Sequence, residues 1–587
     1  MRLNSDRGFD PWLKNKGERP ALAWTLSLLW LFLIGFLAFF WNLGSTGLVD
    51  ETEPLFAEAA RQMTVTGDWI TPFFDGETRF DKPPLIYWSQ AIAYKILGVN
   101  SFSVRLPSAL SAMGLISLGF YTLWSFGVGR GAFQERRYWL CAGLGSALMA
   151  LNLETIIWAR TGVSDMLLTG CMAGALLSFF LGYAQPSKPV VQARWYLAFY
   201  VLIALAVLTK GPVGIVLPVL IIGAFLLYLG NGREVLREMR VLWGSLLVMM
   251  IALPWYILVI RANGWAYINS FFGYHNFERF TRVVNHHSAP WYFYFFVVLV
   301  AFAPWSVYLP VAIARLKFWQ RTTWRSTDRS THLGLFALFW FVGVFAFFTI
   351  AVTKLASYLL PLMPAAAILV ALLWSDKLTQ TTKNTALIWS GWLNAVLLLA
   401  VAGASFSSPY LLGTDPAIPN LGSWVQQTGL PVSGAAICAI TAVAVAVLLW
   451  RRQWRGLLSV NLLGFVAFFI FVVTPAYFLI DQTRQLPLRE LSLVAAQAQQ
   501  PGEALIMVGF KKPSVVFYTQ RPVNYISSTK NAVPEIKKLV ATQPQPPSLL
   551  ILSQPKKLEQ LRLYPPQYQD LGKAGAYQLI RVSKSAF

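Results

Sequence analysis

The sequence predicts a polytopic all-α integral membrane protein that ends in a small α/β domain outside the bilayer. Three observations carry that prediction. Of the 587 residues, 56% are hydrophobic and only 13% charged, about half the charged share of a soluble domain. Apolar runs of about 18 residues or more, the length that crosses a bilayer as a helix, recur from residue 21 to residue 480. From Asp481 onward the chain turns polar and alternates helix-like with short strand-like stretches.

Residues 1–20 are polar and basic, and 21–43 carry no charge. A signal peptide has a shorter apolar core followed by a small-residue cleavage site, so 21–43 reads as an uncleaved first span. Further spans are expected near 104–128, 138–153, 166–185, 195–209, 213–230, 241–260, 291–314, 333–353, 356–375, 386–405, 432–450 and 457–480, thirteen in all. The segment 83–98 is apolar enough for one more, but it opens on Pro83-Pro84 and carries Lys95. Charge decides the matter. With 83–98 lying along the surface, one side receives Arg2/Arg7/Lys14/Lys16/Arg19, Arg130/Arg136/Arg137, Arg233/Arg237/Arg240, Arg315/Lys317/Arg321/Arg325/Arg329 and Arg451/Arg452/Arg455. That side is cytoplasmic. The N-terminus is therefore expected inside and the C-terminus outside, in a multi-pass protein of the plasma (inner) membrane.

The formal net charge of +22 thus mostly orients spans, and it does not call for a nucleic-acid partner. Cys141, Cys171 and Cys438 fall in separate apolar runs with no His beside them, which leaves no disulfide framework and no cysteine metal site. The chain divides into a cytoplasmic N-terminus (1–20), a membrane module that holds the chemistry (21–375) with outer loops 44–103 and 261–290, distal spans (376–480) and the outer domain (481–587). Within that domain, 488–499 and 532–541 read as helices, 504–508, 548–552 and 577–582 as strands, and 543–547 as a loop.

The chemistry-bearing residues gather at the outer boundary. The first outer loop begins Leu48-Val49-Asp50-Glu51-Thr52-Glu53-Pro54 and continues with Leu55, Phe56, Ala59, Ala60 and Met63 at helical spacing, which predicts a helix on the membrane surface. Asp50 could cap that helix with Glu53 completing the pair. The loop, however, also holds Glu51, Glu58, Asp68, Asp75, Glu77 and Asp81, too many carboxylates for caps. The box Arg79-Phe80-Asp81-Lys82-Pro83-Pro84-Leu85-Ile86-Tyr87-Trp88 follows, then Arg105-Leu106-Pro107. Lys82, Arg105, Lys210 and Lys354 would each pass singly as snorkelling anchors. Together they stand where the positive-inside bias should deplete cations, and a lipid phosphate would be a fitting partner. Asp165 opens one span, and His275, His286 and His287 share the second outer loop, where solvated histidines are an equal reading. No charged residue or His lies near the middle of an expected span, unlike ion-coupled transporters and proton pumps.

In these boxes the sequence resembles a known family. Asp50-Glu51 before an amphipathic helix, Gly67-Asp68-Trp69, Phe80 to Leu85 with Tyr87-Trp88, Arg105-Leu106-Pro107, Lys210-Gly211-Pro212, Arg279-Phe280 before Pro290-Trp291-Tyr292, and Lys354 to Pro361 together look like the GT-C glycosyltransferases of the aminoarabinose transferase and protein O-mannosyltransferase type. The resemblance covers roughly 20–375, and more loosely the remainder.

The resemblance implies a GT-C fold and transfer of a sugar from a polyprenyl phosphate carrier to a lipid, glycan or protein acceptor on the outer side. By analogy Asp50 is the general base or acceptor-orienting carboxylate, flanked by Glu51, with Asp165 a second acidic member. Lys82, Arg105, Lys210 and Lys354 would neutralise the carrier phosphate, while Tyr87, Tyr358 and Arg279 would line the cavity. In aminoarabinose transferases a Glu before the box lysine takes part in a divalent-metal site with a loop His. The corresponding residues here are Asp81, one methylene shorter, and His275. Cations on a departing phosphate and a carboxylate at the attacking hydroxyl both favour the transition state, and a single such carboxylate suggests inversion. A transporter or flippase of polyprenyl-linked sugars is the rival reading. It predicts comparable polar features on both leaflets, whereas the acidic residues cluster on one.

Overall fold

The structure, a computed structural model, describes residues 20–127, 135–278, 281–282, 288–379, 385–413, 418, 420–542 and 546–587. The expected clusters at Arg2 to Arg19 and at Arg130, and the loop at 543–545, lie outside the described residues. Among those described, ten helices are long and apolar enough to cross a membrane, from Leu22–Phe40 to Trp454–Ala498. Two of the other expected spans are bent helix pairs: Tyr138–Ala150 turns by 62° into Leu153–Ala159, and Phe293–Ala301 by 110° into Trp305–Ala314. The first bend is made by one side chain. Asn152 donates to the Leu148 and Met149 carbonyls while its oxygen caps the next helix at Thr155 N. The second bend follows from Pro304, which supplies no N–H to continue the helix. The remaining expected span is the 17-residue helix Val213–Leu229.

The segment 44–103 folds into two helices with a hairpin between them. The apolar stripe lies on the helix Glu53–Thr66, whose Phe56, Ala59, Ala60 and Met63 are buried against Ile86, Tyr87, Ala91 and Tyr94 of the helix Leu85–Leu97. Thirteen residues make about 20 Å of helix, short of the roughly 30 Å hydrocarbon, so 83–98 does not span. Between the two helices a hairpin pairs β1 (Phe73–Phe74) with β2 (Glu77–Thr78). Its turn residues Asp75 and Gly76 both have positive φ, 54° and 81°, as a two-residue hairpin of this type requires.

The C-terminal domain is a five-stranded mixed sheet with helices on both faces. Its strands β3 (Leu505–Val508), β4 (Asn524–Ile526), β5 (Ser548–Ser553), β6 (Tyr568–Ala574) and β7 (Tyr577–Ser583) lie in the order β4-β3-β5-β7-β6. The pairs β3/β4 and β3/β5 are parallel, and β5/β7 and β6/β7 antiparallel. Side-chain alternation splits the core. Leu505, Met507, Leu550 and Leu552 face the helix Leu486–Ala498, while Ile506, Val508, Leu549 and Ile551 face Ala532–Thr542 through Ile536. The sequence reading finds β3, β5 and β7 but neither β4, three residues long, nor β6, whose Gln569, Asp570 and Lys573 are exposed on a sheet edge.

The last span does not stop at residue 480. Trp454–Ala498 is one helical path of 45 residues, about twice what the bilayer core needs, so the C-terminal domain rides on a continuation of that span. It also grips the first outer loop: Phe74 of the hairpin is buried in the sheet core beside Leu488 and Leu491.

Candidate functional site

A cavity of about 420 Å³ opens where the two outer loops meet the ends of several spans. Five segments each deliver a chemical group. The turn before the helix Leu85–Leu97 brings Asp81 and Lys82, the first turn of Ser164–Tyr183 brings Asp165, and the last turn of Pro189–Lys210 brings Lys210. The segment Ile268–Glu278, expected as part of a loop at 261–290 but a helical continuation of the span from Val241, adds His275, and the turn Ala356–Leu362 adds Ser357 and Tyr358. The other walls are apolar, with Phe271, Phe272, Phe347, Phe348, Val213 and Val216 among them.

The charges in the cavity are paired. Lys82 Nζ lies 2.6 Å from Asp81 Oδ1, Arg79 binds Asp81 Oδ2 at 2.7 Å, and His275 Nδ1 approaches Asp81 Oδ1 at 3.1 Å. Burial raises the Asp81 carboxyl, but Lys82, Arg79 and His275 outweigh it and hold the group far below the usual carboxylate range. Lys210 Nζ binds Asp165 Oδ1 at 2.9 Å and stands 5.6 Å from the centre of the Tyr358 ring. Lys210 is placed by the residue after it. Gly211 has φ +78°, and a Cβ there would come within 2.6 Å of the Phe271 ring, so only glycine ends the helix in this way.

Residues 81–258 match the family model described as dolichyl-phosphate-mannose-protein mannosyltransferase, and 498–587 match the C-terminal domain of cyanobacterial RgtA-type glycosyltransferases. The undecaprenyl phosphate-α-4-amino-4-deoxy-L-arabinose arabinosyl transferase of Shewanella sediminis is 32% identical over 334 residues, which is 56% of each chain. The chain thus spans little more than half the length of that curated relative. An uncharacterised Aquifex aeolicus protein is 31% identical, over 63% of this chain and 78% of its own. The crystal structure of ArnT from Cupriavidus metallidurans bound to undecaprenyl phosphate superimposes with a TM-score of 0.74, at 21% identity, covering 96% of this chain and 98% of the other. The chain belongs to the GT-C glycosyltransferases.

In this GT-C chain not every expected residue reaches the cavity. Asp50 does not line it, and it is not a helix cap either. Thr52 occupies the cap position without a side-chain bond, and Glu53 reaches back to Val49 N at 2.8 Å. The Asp50 carboxylate instead faces the C-terminal domain, where Ser514 N donates to Oδ1 at 3.0 Å and Ser514 Oγ donates to Oδ2. Burial pushes this carboxyl up to about 6, with the Ser514 bonds and Lys512 opposing. Glu51 is mostly exposed and pairs with Lys512 at 3.3 Å.

Three expectations are corrected. Arg105, 1% exposed, binds both oxygens of Glu53 at 2.8 and 3.0 Å, and also the Leu43 and Gly47 carbonyls and Thr46 Oγ1. Its guanidinium is a bolt for the first loop and has no donor turned to a carrier phosphate. Lys354 is buried beside the cavity, and its Nζ donates to the Thr349 and Ala351 carbonyls at 2.7 and 3.0 Å. Tyr87 lies under the helix Glu53–Thr66, stacked on Phe56 with centroids 5.6 Å apart, and burial pushes its phenol up to about 12. Arg279, His286 and His287 lie outside the described residues.

The metal expectation meets a donor set that does not fit. Asp81 and His275 do touch, but the Asp81 oxygens are already shared by two cationic side chains as well. Among the described residues no third His, Cys, Asp or Glu joins them, short of a closed set of ligands.

Sequence reasoning gave Glu53 only a capping role and missed Ser514. Glu53 Oε1 accepts from Gly162 N at 2.7 Å as well as from Arg105, so it ties the first loop to the turn that presents Asp165. Ser514 is 464 positions from Asp50, and no local pattern announces such a pair. The phenylalanines of the cavity wall were in view as apolar residues, but nothing in their spacing separates cavity-facing from lipid-facing rings.

Proposed function

We propose that the protein transfers a sugar from a polyprenyl phosphate carrier to an acceptor at the outer face of the membrane, as the transferases it resembles are named for doing. The observation that carries this reading is the cavity: Lys82 and Lys210 stand in one space with apolar aromatic walls at the level where spans end. A polyprenyl phosphate needs both features, cations for its phosphate and an apolar wall for its first isoprene units. Each lysine now faces an aspartate. These pairs balance the charge of the lysines, and an arriving phosphate competes with Asp81 and Asp165 for them and gains two charge-assisted contacts. As the bond from the sugar carbon to the phosphate oxygen breaks, those ammonium groups meet the negative charge that develops there.

Asp50 is the carboxylate suited to take the acceptor's proton. Asp81 is surrounded by cations and Asp165 is committed to Lys210. Asp50 is held by a backbone N–H and a hydroxyl, and at about 6 it lies close to the range in which a general base works at neutral pH. Glu53, three positions after Asp50, accepts from Gly162 N, three positions before Asp165, so one hydrogen bond links the segment of Asp50 to the turn that presents Asp165. Attack from the acceptor side with the phosphate leaving opposite gives inversion. The same reading puts the N-terminus in the cytoplasm and the C-terminal domain outside. The transport alternative is not favoured by the family to which the chain belongs.

The test is to supply purified protein with a panel of polyprenyl phosphate sugars and a membrane extract as acceptor source, and to measure release of free carrier phosphate. Release that is lost in Asp50→Asn and weakened at limiting donor in Lys82→Ala is expected. An active Asp50→Asn protein overturns the base assignment, and no release with any donor overturns the transfer reading.

A further inference from the structure

We infer that Ser514 of the C-terminal domain is a positioning residue for Asp50, so that the domain completes the active site across its joint with the first outer loop. The inference rests on the reading of Asp50 as the base. Its own ground is the geometry of the joint.

The segment that leads into the site is met by the last helix or the C-terminal domain at four of five consecutive residues. Gly47 N donates to Asp481 Oδ1 at 2.7 Å, Leu48 N donates to the Tyr518 hydroxyl at 2.9 Å, Ser514 takes both oxygens of Asp50, and Lys512 pairs with Glu51 at 3.3 Å. Ser514 itself cannot drift. It is 1% exposed and opens the short helix Ser514–Thr519, which packs two ways at once. Val515 and Val516 lie in the core of the sheet domain, and Phe517 lies in the core of the first loop beside Phe56 and Met63. Two donors from one residue fix the plane of the carboxylate as well as its position, and each oxygen keeps a lone pair for an acceptor hydroxyl.

The two donors also favour the ionised carboxylate. If Ser514 positions Asp50, its hydroxyl must be felt in the titration of Asp50 and not only in the rate. The experiment therefore compares wild type, Ser514→Ala, Ser514→Cys and Ser514→Thr in two measurements on the full-length protein. Infrared-detected titration of the Asp50 carboxyl, identified as the band absent from Asp50→Asn, needs no substrate. The pH profile of carrier-phosphate release uses the donor that proves competent in the panel above.

Loss of the hydroxyl in Ser514→Ala is expected to move the titration to higher pH and to lower kcat/KM roughly ten- to hundredfold at neutral pH. Ser514→Thr is expected to restore both, and Ser514→Cys, of similar size but a weak donor, to fall between. A Ser514→Ala protein with an unmoved titration, or one whose rate falls equally at every pH, overturns the inference while leaving Asp50 as base. Full activity of Asp50→Asn overturns the base reading itself, and with it the role given to Ser514.

Discussion

At the scale of the residue, four cations that look alike in the sequence divide by what they touch. Lys82 and Lys210 face the cavity, whereas Arg105 and Lys354 spend their donors on the protein. Replacing Lys82 by Ala removes one charge-assisted contact and is expected to raise the apparent KM for the lipid donor by roughly ten- to hundredfold, with thermal unfolding in detergent little changed. Arg105→Ala should behave oppositely. It strands Glu53 as an uncompensated buried charge at a cost of about 3–5 kcal/mol, visible as a lowered unfolding midpoint before any effect on donor affinity. For Asp50 the pH dependence has a defined sign. The base must be ionised, so kcat/KM is expected to fall as pH drops through about 6. Because its folded value is raised, the folded protein binds this proton more tightly than the unfolded chain, and this group's contribution to stability falls as pH rises from the ordinary carboxylate range towards 6. Rate and stability then move in opposite directions across that window, and a rate that rises with pH while the unfolding midpoint does not is the expected pattern.

At the scale of the element, the spans and the helix Glu53–Thr66 were legible because their signals are local: run length, and apolar residues at helical spacing. The hairpin had a usable signal in Asp75-Gly76 after the apolar pair Phe73-Phe74. The rest was hidden for a physical reason. Glu53 with Arg105, Glu53 with Gly162 and Asp50 with Ser514 are contacts between segments 52 to 464 positions apart, and a carboxylate's own neighbours in sequence do not say which distant donor will meet it. The junction of Pro189–Lys210 with Val213–Leu229 shows how an element end serves the site. Gly211→Ala is expected to cost about 1–3 kcal/mol through its positive φ, and to weaken donor binding by displacing Lys210 or the Phe271 ring. An Ala variant that matches wild type in donor affinity would mean that this joint does not set the lysine.

At the scale of the whole molecule, thirteen expected spans and the charge rule give an orientation that labelling can check. The native cysteines Cys141, Cys171 and Cys438 are buried and leave a quiet background. A cysteine at the exposed Ser326 is expected to react with a membrane-impermeant maleimide only after the cytoplasmic side is opened, and one at the exposed Ser585 in intact cells or spheroplasts. The opposite result would invert the topology. The joint between the sheet domain and the first loop has a further consequence for how such chains diverge. Gly47, Leu48 and Val523 contribute to it through main-chain N–H groups, received by Asp481, Tyr518 and Asp75. The bonds themselves do not depend on the donor's side chain, because every residue except proline brings the same N–H, but the positions are fixed by packing: Leu48 and Val523 are buried, and a Cβ at Gly47 would come within 3.2 Å of Asp481 and Tyr518. A sheet domain exchanged between relatives is expected to be compatible when it keeps Ser514, Phe517 and Tyr518 and meets a membrane module that keeps Asp50, Phe74, Asp75 and Asp481.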